Sequence, residues 1–296
     1  MKILNNKTKF LKNLIYPKIG SFNKKYSFLQ FDFMKIIPAI YIIKKDIKEK
    51  KINKNTVIIE SSSGNFAYGL SLICNHYNLK LIIIGDGNID KELKKKMKNL
   101  GVSLKLIKSS NNKNIQKIRL KRLKQEIQKY KKNYFWPKQY DNPDNYKSYI
   151  ILKKYLSNKI NLKKIDYLIS PVGSGGNSSG FYRLIKSVNK KIELIGVDSV
   201  NSVIFGNKNG KRVLRGPGSS IYPKNVIYKF FNKIFWVSDK NAYSNAYNIS
   251  SKKNFKSSPC NGAVDLVANE VLKLYPDKKV LAIFPEGSER YFDTLF

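Results

Sequence analysis

The chain is poor in the residues that build metal centres and disulfide frameworks. It carries one histidine, His76, and two cysteines, Cys74 and Cys260, among 296 residues. A histidine-rich metal site is thereby excluded, and two cysteines so far apart make neither a zinc signature nor a disulfide framework. No metal is expected. Long apolar runs are missing too. No segment approaches the roughly 20 residues of a membrane span, and residues 1–12 are interrupted by Asn and Lys throughout, unlike a signal peptide. The expectation is a soluble, cytoplasmic protein with no membrane partner. Cys74 and His76 have no neighbour in sequence that suggests catalysis, and read as a packed thiol and a surface or capped imidazole.

Negative charge is scarce: 20 acidic residues against 57 basic ones leave a formal net charge of +37. Such a balance ordinarily points to nucleic acid or to an anionic membrane. Arginine, however, is scarce as well, present only as Arg119, Arg122, Arg183, Arg212, Arg215 and Arg290. Base-edge and phosphate readers lean on the arginine fork, which matches those acceptors in shape. The lysines travel instead with an excess of Asn, Ile, Tyr and Phe, amino acids with AT-rich codons, which is the profile of a genome with biased base composition. No specific nucleic-acid partner is expected, and a non-specific attraction to polyanions follows from the charge alone.

The length suffices for a large core and two lobes. The first 35 residues are irregular and aromatic, with one strand expected at 26–31. Apolar residues at helical spacing (Ile36, Ile37, Ile40, Ile43, Ile47) predict a helix over 36–51, with Pro38 in its tolerant first turn. From there strands and helices alternate. Strands are expected at 56–59, 81–84, 102–107, 166–170, 193–198, 234–237 and 280–284. Helices are expected at 66–77, 90–99, 113–132, 144–156, 178–188 and 262–274. Alternation at these intervals is the pattern of parallel βαβ units, so the predicted class is α/β, two-lobed, with doubly wound and mostly parallel sheets.

Two of the strand-to-helix turns are shaped for anions. The first is Glu60-Ser61-Ser62-Ser63-Gly64-Asn65, between an apolar strand and an amphipathic helix. A strand that breaks here and re-enters as a helix leaves several N–H groups unpaired beside serine hydroxyls, and the partial positive charge of the helix end adds to them. An ordinary helix cap uses the same residue types, so both readings fit this turn taken alone. The second is Gly173-Ser174-Gly175-Gly176-Asn177. Its glycines allow a tight turn that brings successive N–H groups to one point. It is no Walker loop, since no Gly-Lys-Ser/Thr follows, and no clean dinucleotide fingerprint. Two such turns in one α/β chain suggest a cofactor phosphate and a substrate carboxylate.

In these residues the chain resembles the fold-type II pyridoxal-phosphate enzymes, the cysteine synthase and cystathionine β-synthase family with its tryptophan synthase β-like fold. It is most similar to the branch that makes 2,3-diaminopropionate precursors. Ser62-Ser63-Gly64-Asn65 matches the family's T-S-G-N substrate-carboxylate loop, whose asparagine also contacts the cofactor's ring hydroxyl. Gly173 through Asn177 matches the G-T-G-G-T phosphate cup. Gln139-Tyr140-Asp141-Asn142-Pro143 resembles Q-F-x-N-P, where the glutamine helps hold the substrate carboxylate. The run from Gly196 to Gly206 is similar to the diaminopropionate branch, Gly216-Pro217-Gly218-Ser219 to its G-x-G loop, and Pro285-Glu286-Gly287-Ser288-Glu289-Arg290-Tyr291 to the S-G-E-R-Y close. The likeness spans roughly residue 35 to the C-terminus.

The resemblance implies pyridoxal 5'-phosphate as cofactor, small amino-acid substrates and a homodimer. It divides the chain into an N-terminal segment, 1–35, packed on the larger domain, a smaller α/β domain, 36–147, and a larger cofactor-binding α/β domain, 148–296. Lys35 stands where the family's Schiff-base lysine stands relative to the T-S-G-N loop, and 36–43 resembles the helix that follows it. The usual N-P-x-G-S-x-K-D-R context is replaced by Gln30-Phe31-Asp32-Phe33-Met34-Lys35-Ile36-Ile37. Lys35 is therefore either the catalytic, cofactor-holding lysine or a core-edge lysine in a chain that has lost catalysis. Its apolar neighbours would lower its pKa by desolvation, as a nucleophilic amine requires. Cys260 falls where the family sets Ser, Thr or Cys against the pyridine nitrogen. A neutral partner there suits β-elimination and replacement better than transamination. Without the family Cys260 reads as a small buried apolar residue. The implied reaction is β-replacement on an O-activated, phosphoserine-like serine by an amine such as glutamate. Cysteine synthase chemistry and a non-catalytic remnant are the alternatives.

Overall fold

A computed structural model describes residues 13–87, 89–108, 114–253, 255 and 257–288. Two sheets organise them. The larger sheet is built from β1 (Lys18–Asn23), β2 (Tyr26–Gln30), β7 (Tyr167–Pro171), β8 (Glu193–Ser199), β9 (Phe231–Val237) and β10 (Val280–Phe284). The smaller holds β3 (Val57–Ser61), β4 (Lys80–Asp86), β5 (Ser103–Ile107) and β6 (Tyr134–Phe135). The strand orders are β1-β2-β10-β7-β8-β9 and β5-β4-β3-β6. Every pairing is parallel except that of β1 with β2. Parallel strands covered on both faces read as continuous apolar runs, and β3, β7 and β10 are buried along their whole length.

The strand order decides where a ligand can enter. In the small sheet the chain winds outward from β3 to β4 and β5, then returns to the other side of β3 as β6. In the large sheet it winds from β7 to β8 and β9, then returns beside β7 as β10. Each return makes a switch point, and the loops beyond the carboxyl ends of the two flanking strands diverge there to leave a crevice. The Ser62–Asn65 turn follows β3, the residue 173–177 turn follows β7, Gln139 follows β6 and Glu286 follows β10. All four candidate segments therefore lie at switch points.

Helices supply the outer layers: α1 (Ile36–Lys48), α2 (Asn65–His76), α3 (Lys91–Asn99), α4 (Ile115–Gln128), α5 (Asp144–Lys147), α6 (Lys153–Lys159), α7 (Gly176–Lys186), α8 (Asp239–Lys253) and α9 (Pro259–Leu274). Ile36, Ile37, Ile40 and Ile43 of α1 are buried, with Ile47 half-buried at the end of the stripe, and share one core with Leu70 and Ile73 of α2 and Leu281 and Ile283 of β10. Among the described residues no helix is long and apolar enough to cross a membrane.

Several boundaries differ from the sequence-based expectation. The helix expected at 262–274 begins at Pro259, because Ser258 caps it by accepting the Asn261 N–H at 3.2 Å and proline suits the first turn. The helix expected at 178–188 begins at Gly176, directly after Gly175 in the left-handed region. The helix expected at 144–156 is broken into α5, a 3-10 stretch over Ser148–Leu152, and α6. That tighter stretch carries Tyr149, fully buried 5.0 Å from the ring of Phe181. Strand β9 starts at Phe231 rather than 234. Strands β1 and β6 and helix α8 carry no clear local pattern and were not expected. The start of the helix expected at 113 and the motif residues Glu289, Arg290 and Tyr291 lie outside the described residues.

Candidate active site

Lys35 is placed by the two strands beneath it. After β2 ends, the Phe31 N–H donates to the Phe284 carbonyl at 2.9 Å and the Met34 N–H to the Pro285 carbonyl at 2.8 Å. The 31–34 segment thus continues along the end of β10, in place of the Asn-Pro-Gly context that the sequence lacks. Phe31, Phe33, Met34 and Ile36 are all buried, and α1 starts immediately after Lys35. Solvent reaches part of the Lys35 side chain through the open cleft, while its amine lies deep in the interior and donates to Ser174 Oγ at 2.8 Å. Burial pulls its pKa down to about 8.

The turn after β7 faces this amine. Gly175 sits at φ +82°, and a Cβ there would collide with the backbone of Asn225 and Val226. Among the described residues nothing accepts from the backbone N–H groups of residues 173–176, which open onto the start of α7. Unspent N–H groups at a helix start form an anion cradle. Asn177 is committed elsewhere: its Nδ2 donates to Pro171 O at 2.8 Å and to Ser170 Oγ at 3.2 Å, clamping α7 onto β7. Cys260, in the first turn of α9, is fully buried, and burial followed by the nearby Glu286 carboxylate pushes its thiol well up, so it stays neutral.

Across the cleft stands the turn after β3. Asn65 donates through Nδ2 to Glu286 Oε2 at 2.6 Å, joining the start of α2 to the segment after β10. Ser63 Oγ donates to Asp86 Oδ2 at 2.6 Å, and Arg119 on α4 donates to Ser63 Oγ while its Nη1 lies 3.1 Å from Asp86 Oδ2. Arg119 and Asp86 are 4% and 1% exposed, and among the described residues the Arg119 Nε finds no acceptor. Ser62 Oγ accepts the Gly64 N–H at 3.4 Å. Gln139 donates its Nε2 to Ser61 O at 2.7 Å, and its own carbonyl accepts from Asn145 and Asn225 at 2.6 and 3.0 Å.

One cavity of about 590 Å³ brings together Lys35, Ser62, Ser63, Gly64, Asn65, Gln139, Gly173, Ser174, Asn177 and Cys260. Gly175 and Gly176 do not line it; they pack against Asn225 and Val226 and against Asn145. The same cavity takes in Glu286, from the run matched to the S-G-E-R-Y close, and Asp86, Arg119, Arg212 and Arg215, none of which the motifs singled out. A signal for three of them was present. In a chain saturated with lysine, three of only six arginines line one cavity. Arginine rarity is informative where base composition supplies lysine without selection. Arg215 also reaches Asp90 at 3.2 Å, linking a loop of the large sheet's half to the first turn of α3.

The residues fit pyridoxal phosphate in three respects: an N–H cradle without acceptors and a buried amine of lowered pKa without a paired carboxylate, both among the described residues, and a neutral thiol lining the cavity. Comparison with known proteins agrees. The family model described as pyridoxal-phosphate dependent enzyme matches residues 15–286. The chain is 26% identical over 264 residues to the N-(2-amino-2-carboxyethyl)-L-glutamate synthase of Cupriavidus metallidurans, covering 88% of this chain and 77% of the relative. Among solved structures it is similar to the O-acetylserine-dependent cystathionine β-synthase of Helicobacter pylori, with a TM-score of 0.88, 23% identity and coverage of 96% and 97% of the two chains. It is similar in fold to cysteine synthase of Entamoeba histolytica as well, with a TM-score of 0.86, 21% identity and coverage of 96% and 88%.

Proposed function

The chain belongs to the pyridoxal-phosphate-dependent enzymes, and from that premise we propose that it performs β-replacement on an O-activated serine with an amine nucleophile, giving a 2,3-diaminopropionate precursor. The placement of Lys35 supports this above all: its amine lies against the 173–176 cradle and opens on the same cavity as the 62–65 turn. The Cupriavidus relative carries a matching name, and the anionic partners such a reaction needs suit the cavity's three arginines.

Residues 173–176 would hold the cofactor's phosphate, Asn65 and Cys260 its ring, and Lys35 would bind it covalently. When bound, pyridoxal phosphate supplies the electron sink that lets an α-proton and then a β-substituent leave. Burial lowers the Lys35 pKa to about 8, so far more of it is the neutral amine that can take the α-proton than in a solvated lysine. Ser62, Ser63 and Gln139 orient the substrate carboxylate. Arg119 sits behind Ser63 and offsets the Asp86 charge that would otherwise repel it. Arg119, Arg212 and Arg215 provide positive charge for the phosphate that departs and for the second carboxylate of a glutamate nucleophile. Breaking the Cβ–O bond releases phosphate, the amine forms the new N–Cβ bond and gives up one N–H proton to solvent or to the departing phosphate, and Lys35 returns the α-proton to Cα. The lobes proposed for this site are 36–147 and 148–296, with 1–35 on the larger.

The purified protein should show visible absorbance and, with phosphoserine and glutamate, form the N-(2-amino-2-carboxyethyl) adduct detectable by mass. Faster product formation from acetylserine and sulfide would replace this assignment with cysteine synthase. A coloured protein that turns over neither pair would mean a chain that keeps the cofactor but not the reaction. Gln139→Ala is expected to weaken amino-acid binding roughly tenfold, the scale of one hydrogen bond to a charged group, with cofactor content unchanged. Titration of the cofactor spectrum with the amino acid checks this, and an unaltered titration would remove Gln139 from the carboxylate site.

A further inference from the structure

Beneath the 62–65 turn three N–H donors converge on one carboxylate. Glu60 of β3 is fully buried. Its Oε1 accepts from the Ser61 N–H at 2.7 Å and from the Trp136 indole at 3.2 Å, and its Oε2 accepts from the Gln139 N–H at 3.1 Å. Gln139 returns a hydrogen bond to Ser61 O, which closes a ring between the end of β3 and the segment after β6. The ladder between these strands is short, with only Val57 opposite Tyr134 and Ile58 opposite Phe135. Past it, Glu60 performs the joining that further ladder bonds would perform.

We propose that Glu60 is the positioning residue of the amino-acid site: when ionised it holds Gln139 and the 62–65 turn in the arrangement that receives the substrate carboxylate, and when protonated it lets that arrangement loosen. The proposal rests on the amino-acid-binding reading given above. A carboxylate only accepts, so three donors suit the ionised form. The charged group facing Glu60 is the Arg119 guanidinium from α4, with Asp86 of β4 behind it; the remaining neighbours, from β3, Trp136 and Gln139, present N–H groups. A proton on Glu60 would turn one accepting oxygen into a donor facing N–H groups and would displace one of the N–H bonds. Burial pushes the Glu60 pKa up to about 7, while those N–H bonds and Arg119 pull it back. Amino-acid affinity is therefore expected to fall as pH drops through about 7.

The chain has two tryptophans, so Trp236→Phe leaves Trp136 as the sole reporter. In that background the emission of the purified protein should change with a midpoint near pH 7, and Glu60→Gln should abolish the change. On the cofactor-loaded protein Glu60→Gln should raise the half-saturating phosphoserine concentration roughly tenfold at pH 8, leave cofactor content as it was, and flatten its dependence on pH. Trp136→Phe removes one donor but keeps the carboxylate, so it should move the midpoint of the amino-acid titration to higher pH. Flat emission in the parent overturns the proposal, as does a Glu60→Gln protein that binds phosphoserine like the parent at every pH. Should Glu60→Gln fail to fold, an unmoved midpoint in Trp136→Phe overturns it alone. An emission change in a parent that responds to no amino acid overturns the functional reading, and with it the role of Glu60.

Discussion

Lys35→Ala is expected to abolish the borohydride-stable label that pyridoxal phosphate leaves on the protein and to lower turnover by at least about a thousandfold, since covalent holding and proton removal are lost together. Peptide mapping of the reduced parent should place the label on Lys35. The cradle at residues 173–176 remains intact in the variant, so weaker, non-covalent cofactor binding should persist. With the amine pulled down to about 8 by burial, labelling of the parent should rise with pH and level off above that value. A label on another lysine would mean that the N-terminal match to the family is misplaced.

The same substitution has a thermodynamic consequence in the cofactor-free protein. The Lys35 pKa falls from 10.5 in the unfolded chain to about 8 in the folded one, so the unfolded chain binds the extra proton between these values. Stability contributed by this group is therefore lowest below pH 8 and is recovered as pH rises toward 10.5. Removing the amine should stabilise the cofactor-free protein at neutral pH by an amount on the order of 1–2 kcal/mol, after allowing for the lost packing of the stem. That gain should vanish at high pH, which urea denaturation at several pH values would show.

Gly175→Asp is expected to reduce cofactor content by roughly a hundredfold at a fixed cofactor concentration, through three effects that act together. The residue lies at φ +82°, where a side chain costs about 1–3 kcal/mol. Its Cβ would collide with the Asn225–Val226 backbone, which cannot yield without shifting the Gln139 carbonyl that Asn225 holds. Its carboxylate would add like charge beside the phosphate cradle. Gly175→Ala isolates the first two effects from the third and should lose less. Equal absorbance in the parent and both variants would place the cofactor's phosphate elsewhere.

Much of the site was legible because its parts are local in sequence. The 60–65 and 173–177 turns each read as a strand that breaks into a helix, and the structure places both at the carboxyl ends of β3 and β7, where each sheet's winding reverses. Cys260 and Gln139 were legible through the family's motifs, and they line the same cavity. Asp86 and Arg119 were not, and Glu60 stood in its turn without its partners Trp136 and Gln139. Asp86 looked like one residue of a Gly-Asp-Gly turn, and Arg119 like one cation on a basic helix. Their meaning comes from a convergence of β3, β4 and α4 that no local pattern encodes.

The α/β class, the parallel sheets and the family were determined by the sequence itself, because buried parallel strands must be apolar throughout and the turns between them need particular residues. Helix α8 was decided by tertiary structure. Its run of Asn, Ser and Tyr has little helix propensity, and it is helical where Ala242 and Ala246 lie against Gly262 of α9, so close that a Cβ on Gly262 would strike the Ala242 carbonyl. Strand β1, half exposed and irregular between Ser21 and Asn23, exists because β2 offers it a free edge, and the two-residue β6 exists because β3 does. The lowered pKa of Lys35 is likewise a tertiary property. Desolvation depends on Cys260 and Ser174 of the glycine turn being folded against the amine, which the residues next to Lys35 in the chain could not accomplish alone.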